Sequence, residues 1–140
     1  MKNLADAKIV GGNGKRRELD FYPTPPDATQ ALIDFLKIPK GQTVWECASG
    51  AGHMAKVFRD NGYNTIETDI QSGTDFLTTP AMECDWIITN PPFSLAEQFI
   101  RRANESGKPF AFLLKSQYWH SSRRLPLFNE ITPSYVCPLT

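Results

Sequence analysis

Residues 43–69 switch twice between hydrophobic periods, and few folds accommodate that switch. Thr43–Cys47 has the composition of a strand, Glu46-Cys47-Ala48-Ser49-Gly50-Ala51-Gly52 a glycine turn, His53–Asp60 the spacing of a helix ended by Gly62, and Asn64–Asp69 that of a second strand. A strand, a crossover helix and a second strand make a βαβ unit, so the two strands run parallel. Parallel strands are stable with both faces covered, so the remaining chain must supply further helices and apolar strands.

Asp85–Thr89 reads as another buried strand, followed by a helix over Ser94–Ser106 whose Ser94-x-x-Glu97 is a capping box and which Gly107 closes. Phe110–Leu114 is a continuous apolar run, the mark of a central parallel strand. Upstream, Ala28, Ala31, Leu32, Phe35 and Leu36 recur at helical spacing, with Asp27 as the cap and Pro39 and Gly41 as the stop. Two βαβ units in sequence predict an α/β fold, a mostly parallel sheet with helices on both faces. After Lys115 the pattern thins to a short helix over Arg123–Phe128 interrupted at Pro126 and a strand start at Tyr135-Val136-Cys137. Residues 1–20, with Gly11, Gly12, Gly14 and Lys15-Arg16-Arg17, are expected to form a flexible arm, and 21–140 one domain.

Composition narrows the function classes. Fifteen basic and fifteen acidic residues cancel, which excludes a uniformly basic nucleic-acid binder but permits a locally basic face. Charge is unevenly placed: residues 41–96 carry −5, and residues 97–124 carry +4. Cys47, Cys84 and Cys137 are odd in number and lack metal-ligand spacing, so neither a disulfide framework nor a metal site is expected. No apolar stretch approaches the roughly 20 residues that span a bilayer, and the expected setting is cytoplasmic, without membrane contact.

The glycine turn is where a parallel sheet binds a ligand, since glycines let the backbone approach it at the strand's C-terminal end. Asp69 ends the next strand 19 positions after Gly50, where a carboxylate accepts from two ribose hydroxyls. Gly50-x-Gly52-x-x-Ala55 fits a dinucleotide and S-adenosylmethionine alike. Glu46 favours the second, because a carboxylate suits a cationic sulfonium and amino group and sits poorly beside a pyrophosphate. A tight turn with no ligand is the plain alternative.

Asn90-Pro91-Pro92-Phe93 follows the strand Asp85–Thr89 directly and so emerges beside the glycine turn. Asn90 offers an amide oxygen, the prolines stiffen the turn, and Phe93 offers a flat face. Two acceptors and one aromatic surface are what recognition of an amino group on a planar base requires.

On these residues the sequence resembles the S-adenosylmethionine-dependent N6-adenine DNA methyltransferases, particularly the short phage-type enzymes. Phe21-Tyr22-Pro23-Thr24-Pro25-Pro26, Glu46 to Gly52, Asp69, Asp75-Phe76 and Asn90-Pro91-Pro92-Phe93 carry the likeness, in the family's order. The resemblance implies a Rossmann-like class I methyltransferase fold and residue roles. Tyr22, Thr24 and Pro25 would line the methionine end of the cofactor, Glu46, Gly50 and Gly52 its centre, and Asp69 its ribose. Asp75 and Phe76 would hold its adenine, while Asn90 and the Pro91 carbonyl would accept from the target amino group and Phe93 would stack on the extruded base.

The partner so implied is DNA, with the phage host's cytoplasm as the setting if the chain is phage-encoded. Lys115, Tyr118, Trp119, Arg123 and Arg124 form a basic and aromatic stretch suited to the DNA backbone, whereas Arg101 and Arg102 read as exposed helix surface. The family's closing strand hairpin and target-recognition segment are not recognised in these 140 residues, so an open sheet edge and self-association through it are expected. Two other functions stay open: methylation of an RNA base or a protein glutamine, and a non-catalytic module that binds S-adenosylmethionine.

Overall fold

The computed structural model describes residues 23–138; the expected N-terminal arm and Tyr22 lie outside them. Four parallel strands, β1 (Thr43–Glu46), β2 (Asn64–Glu67), β3 (Trp86–Thr89) and β4 (Phe110–Phe112), form a single sheet in the order β2-β1-β3-β4. The longer helices are α1 (Pro26–Leu36), α2 (His53–Asp60) and α3 (Ala96–Ser106); two shorter ones, α4 (Ser116–His120) and α5 (Leu125–Glu130), follow β4. Among the described residues, no helix is long and apolar enough to cross a membrane.

Strand alternation sends successive side chains to opposite faces, and each face has its own helices. Val44 and Ile88 pack with Ile33 of α1 and Met54 and Phe58 of α2. Trp45 and Ile87 face the other way, onto Phe99 and Ala103 of α3 and onto Phe76 in the loop before β3. Trp45 is fully buried and its ring nitrogen donates to the Thr68 hydroxyl at 2.9 Å, so its one polar atom is satisfied. Asp85 clamps the start of the sheet, accepting at its carboxylate from the Thr43 amide at 2.8 Å and donating its own amide to the Thr43 carbonyl at 2.9 Å.

Several expectations need correction. Asp27 does not cap α1: Pro25 occupies the cap position with extended backbone, Pro26 opens the helix, and Asp27 lies in its first turn, where a carboxylate complements the helix dipole. The helix after Asn-Pro-Pro-Phe begins at Ala96, because residues Phe93–Leu95 first form a 3-10 turn; Ser94 is inside that turn, and Leu95 is the cap. Phe110–Leu114 is not a central strand. β4 pairs only with β3 among the described residues, and its apolar run arises because Ala111 and Leu113 pack on one face and Phe110 and Phe112 on the other. Pro126 is the second residue of α5 where an interruption was expected, a first-turn position that needs no amide hydrogen. Tyr135-Val136-Cys137 forms no strand; the Tyr135 ring meets Phe35 of α1 edge-on at 5.5 Å.

The two faces imply a graded response to truncation. Phe58→Ala, at a fully buried ring, should lower unfolding free energy by about 3–5 kcal/mol in urea titration. Phe35→Ala, at a ring 47% exposed, should cost no more than about 1 kcal/mol. Equal losses at both sites would contradict the assigned core.

Candidate functional site

β2 lies on one side of β1 and β3 on the other, so the strand order reverses between β1 and β3. That reversal opens a crevice at the carboxyl ends of the two strands, the place where open α/β sheets take ligands. The glycine turn leaves β1 there and Asn90-Pro91-Pro92-Phe93 leaves β3 there. Both sequence motifs thus meet at one edge of the molecule.

They are joined by a hydrogen bond. The Thr89 hydroxyl, last in β3, donates to Glu46 Oε1, last in β1, at 2.5 Å, and the Ala48 amide donates to the same oxygen at 2.9 Å. Glu46 is buried, and its Oε2 accepts from no described residue. Burial, reinforced by the neighbouring charges of Asp69 and Glu67 and opposed by the two hydrogen bonds, pushes its carboxyl up to about 7. The pairing with Thr89 carries no sequence signal, since a threonine ending a strand is commonplace.

Gly50 and Gly52 have positive φ, 53° and 86°, which L side chains rarely adopt. A Cβ on Gly50 would meet nothing within 4 Å, so this part of the turn faces open space. A Cβ on Gly52 would come within 3.2 Å of Glu67 Oε1, whose other oxygen is ion-paired to Arg59. Gly52 is therefore favoured by its backbone angle and by tight packing, and Gly50 leaves room. Asp69 closes the turn from β2: Oδ1 accepts from the Gly50 amide at 2.9 Å and Oδ2 from the Gln71 amide at 3.0 Å. A carboxylate oxygen has two lone-pair sites, so each keeps one for a further donor.

Across the crevice Thr24 is buried, and its hydroxyl accepts from Asn90 Nδ2 at 3.0 Å over 66 positions of sequence. This fixes the Asn90 amide by its nitrogen; Oδ1 accepts nothing from the described residues. The turn's flanking carbonyls are engaged, that of Thr89 by the Leu113 amide and that of Pro92 by the Leu95 amide. Thr24 thus contacts Asn90, a role the spacing does not suggest. Pro25 is exposed at the start of α1, and Pro91 is buried.

Other site residues divide. Asp75 Oδ1 accepts from the Leu77 amide at 3.0 Å and shapes its own turn. The Phe76 ring is in the core, 5.3 Å from Trp45 and 4.9 Å from Phe99, so only its backbone can meet a ligand. A cavity of about 320 Å³ between that loop and α3 touches Phe76, Thr79, Arg102 and Glu105 but neither the glycine turn nor Asn90. Phe93 stands among the basic and aromatic residues: Tyr118 is edge-on at 5.8 Å, and Lys115 Nζ and the Arg124 guanidinium each lie 5.8 Å from its ring centre. Trp119 turns away onto Phe128 at 4.8 Å, and Arg123 is exposed. Arg101 is paired with Glu97 and Glu130, and Arg102 with Glu105 and the Thr79 carbonyl, in keeping with helix surface. Cys47 and Cys84 are buried with thiols raised mainly by desolvation, which leaves them poor nucleophiles.

The buried Glu46 makes stability depend on pH. Between about 4.5 and 7 the folded chain holds a proton that the unfolded chain releases, so this group's contribution is full below the lower value and is lost as pH rises through the upper. Glu46→Gln should remove that slope, worth on the order of 3 kcal/mol, in urea titrations at pH 5 and 8. Identical slopes in both proteins would refute the assignment.

No family model matches the chain, and neither does any curated protein.

Proposed function

We propose that this chain transfers a methyl group from S-adenosylmethionine to the N6 amino group of adenine in DNA. The observation that carries the reading is the Thr89-to-Glu46 hydrogen bond, which holds the glycine turn and the Asn-Pro-Pro-Phe turn side by side. A cofactor cradle and an amino-group acceptor become neighbours, as direct transfer between two bound molecules requires.

Three features support the cofactor. Glu46 is a buried acid whose Oε2 has no donor among the described residues, and a cationic group placed against it would take over from its proton. Gly50 faces unfilled space, and Asp69 retains lone pairs for ribose hydroxyls while its remaining contacts hold it in place. Asp75 and the Phe76 amide are the groups that would take the adenine ring. When bound, S-adenosylmethionine would supply an electrophilic methyl group and leave as S-adenosylhomocysteine, the proton displaced from the amino nitrogen passing to water.

The chain's own residues prepare the acceptor. Asn90 Oδ1 and the Pro91 carbonyl draw the two hydrogens of the target amino group, which frees its lone pair from the ring and makes it nucleophilic. Thr24, bonded to the Asn90 nitrogen, presents the oxygen of that amide to the substrate. Extruding a base costs a few kcal/mol, and stacking on Phe93 offsets part of it.

Asn90→Ala should reduce tritiated methyl transfer to adenine-containing DNA by at least about 100-fold while the affinity for S-adenosylmethionine stays within about threefold. Thr24→Val should cost about tenfold in kcat and Thr24→Ser should restore it, as a lost orienting hydrogen bond predicts. Undiminished transfer by Asn90→Ala would sink the mechanism. Transfer to RNA or to a glutamine-bearing peptide, with none to DNA, would keep the chemistry and replace the substrate.

A further inference from the structure

Four cations of the described residues are ion-paired within the fold. Lys56 pairs with Asp60, Arg59 with Glu67, Arg101 with Glu97 and Glu130, and Arg102 with Glu105. Arg124 is paired with no described carboxylate and is set apart by its seat, its guanidinium carbon resting 4.0 Å from the centre of the Tyr118 ring. Tyr118 is itself only 1% exposed, so the ring is a fixed support inside the cluster of α3, α4 and α5. Three buried side-chain polar atoms of the described residues have no well-formed hydrogen bond, and two belong to this pair, Arg124 Nε and the Tyr118 hydroxyl, which otherwise feel chiefly each other.

Unsatisfied buried donors are costly, and a guanidinium cannot escape by losing its proton. A charged fork of donors held over a ring is suited to an anion that offers pairs of oxygens, above all a phosphate. Phe93, the stacking residue of the site, lies 5.8 Å from the same guanidinium. An extruded nucleotide carries a phosphate on each side of its sugar, so a base brought to Phe93 brings a phosphate with it.

We propose that Arg124, supported by Tyr118, binds the backbone phosphate that flanks the target nucleotide and so sets the register of the strand over Phe93. The inference rests on the reading of the substrate as a DNA strand. It separates Arg124 from Arg101 and Arg102, whose charges are spent within the fold. Arg124 is a positioning residue here, since the methyl-accepting nitrogen is met by Asn90 and Pro91.

The test uses the full chain and a single-stranded oligonucleotide of thymines with one central adenine. The phosphate on either side of that adenine is replaced in turn by an uncharged methylphosphonate. Wild type should lose about tenfold in affinity for one of the two substituted strands, and Arg124→Gln should bind that strand and the unmodified one equally. Its salt dependence should be shallower by about one phosphate contact, while S-adenosylmethionine affinity is unchanged. Arg101→Gln should respond to methylphosphonate as wild type does. Were Arg124→Gln to unfold, the wild-type strands alone decide, a loss at one phosphate supporting the contact and equal binding of all strands overturning it. Binding of S-adenosylmethionine with no binding of the oligonucleotide overturns this inference alone, whereas absence of both takes the proposed function with it.

Discussion

One hydrogen bond at the carboxyl ends of β1 and β3 sets the geometry on which the rest of the crevice depends. Glu46 is buried where its carboxyl can be tolerated only with partners, and Thr89 and the Ala48 amide supply them at one oxygen. The same contact ties the last residue of one strand to the last residue of its neighbour, so the two turns that follow start from fixed positions. Burial, which these bonds only partly offset, pushes the ionisation of that carboxyl toward neutrality and leaves the site responsive to a positively charged ligand.

Around that bond the site is braced from three directions. Asp69 reaches from β2 to the Gly50 amide, Thr24 from before α1 to the Asn90 amide, and the Leu113 amide after β4 holds the Thr89 carbonyl. Each brace joins segments far apart in sequence. The loops are thereby held by the sheet, an arrangement that lets a loop carry chemistry without losing its geometry.

Much of this fold is legible in the sequence, and the limits are physical. The helix over His53–Asp60 has the same bounds in sequence and structure, because helical spacing there is flanked by two strand-like runs and stopped by Gly62. The position of Phe110–Phe112 at the sheet's edge is not legible, since alternate burial on two faces produces the same apolar run in a central or an outer strand. The start of α3 departs from expectation because Ser94-x-x-Glu97 fits a capping box while the two prolines first impose a 3-10 turn. Among the cations, Glu97 four positions before Arg101 is a local clue, but Glu130 lies 29 positions away and only the fold reveals it. The Thr24–Asn90 and Thr89–Glu46 contacts belong to this second kind. Hydroxyl side chains make such bonds wherever the chain brings them, and no spacing announces it.

Calorimetric titration of the wild-type chain with S-adenosylmethionine, with an oxidised nicotinamide dinucleotide as control, tests most directly whether the crevice between β1 and β3 receives a cationic nucleoside. Saturable binding of S-adenosylmethionine at one site and none of the dinucleotide is the predicted result, because a carboxylate at Glu46 suits a cation and sits poorly beside a pyrophosphate. Absence of S-adenosylmethionine binding, or tighter binding of the dinucleotide, would contradict it.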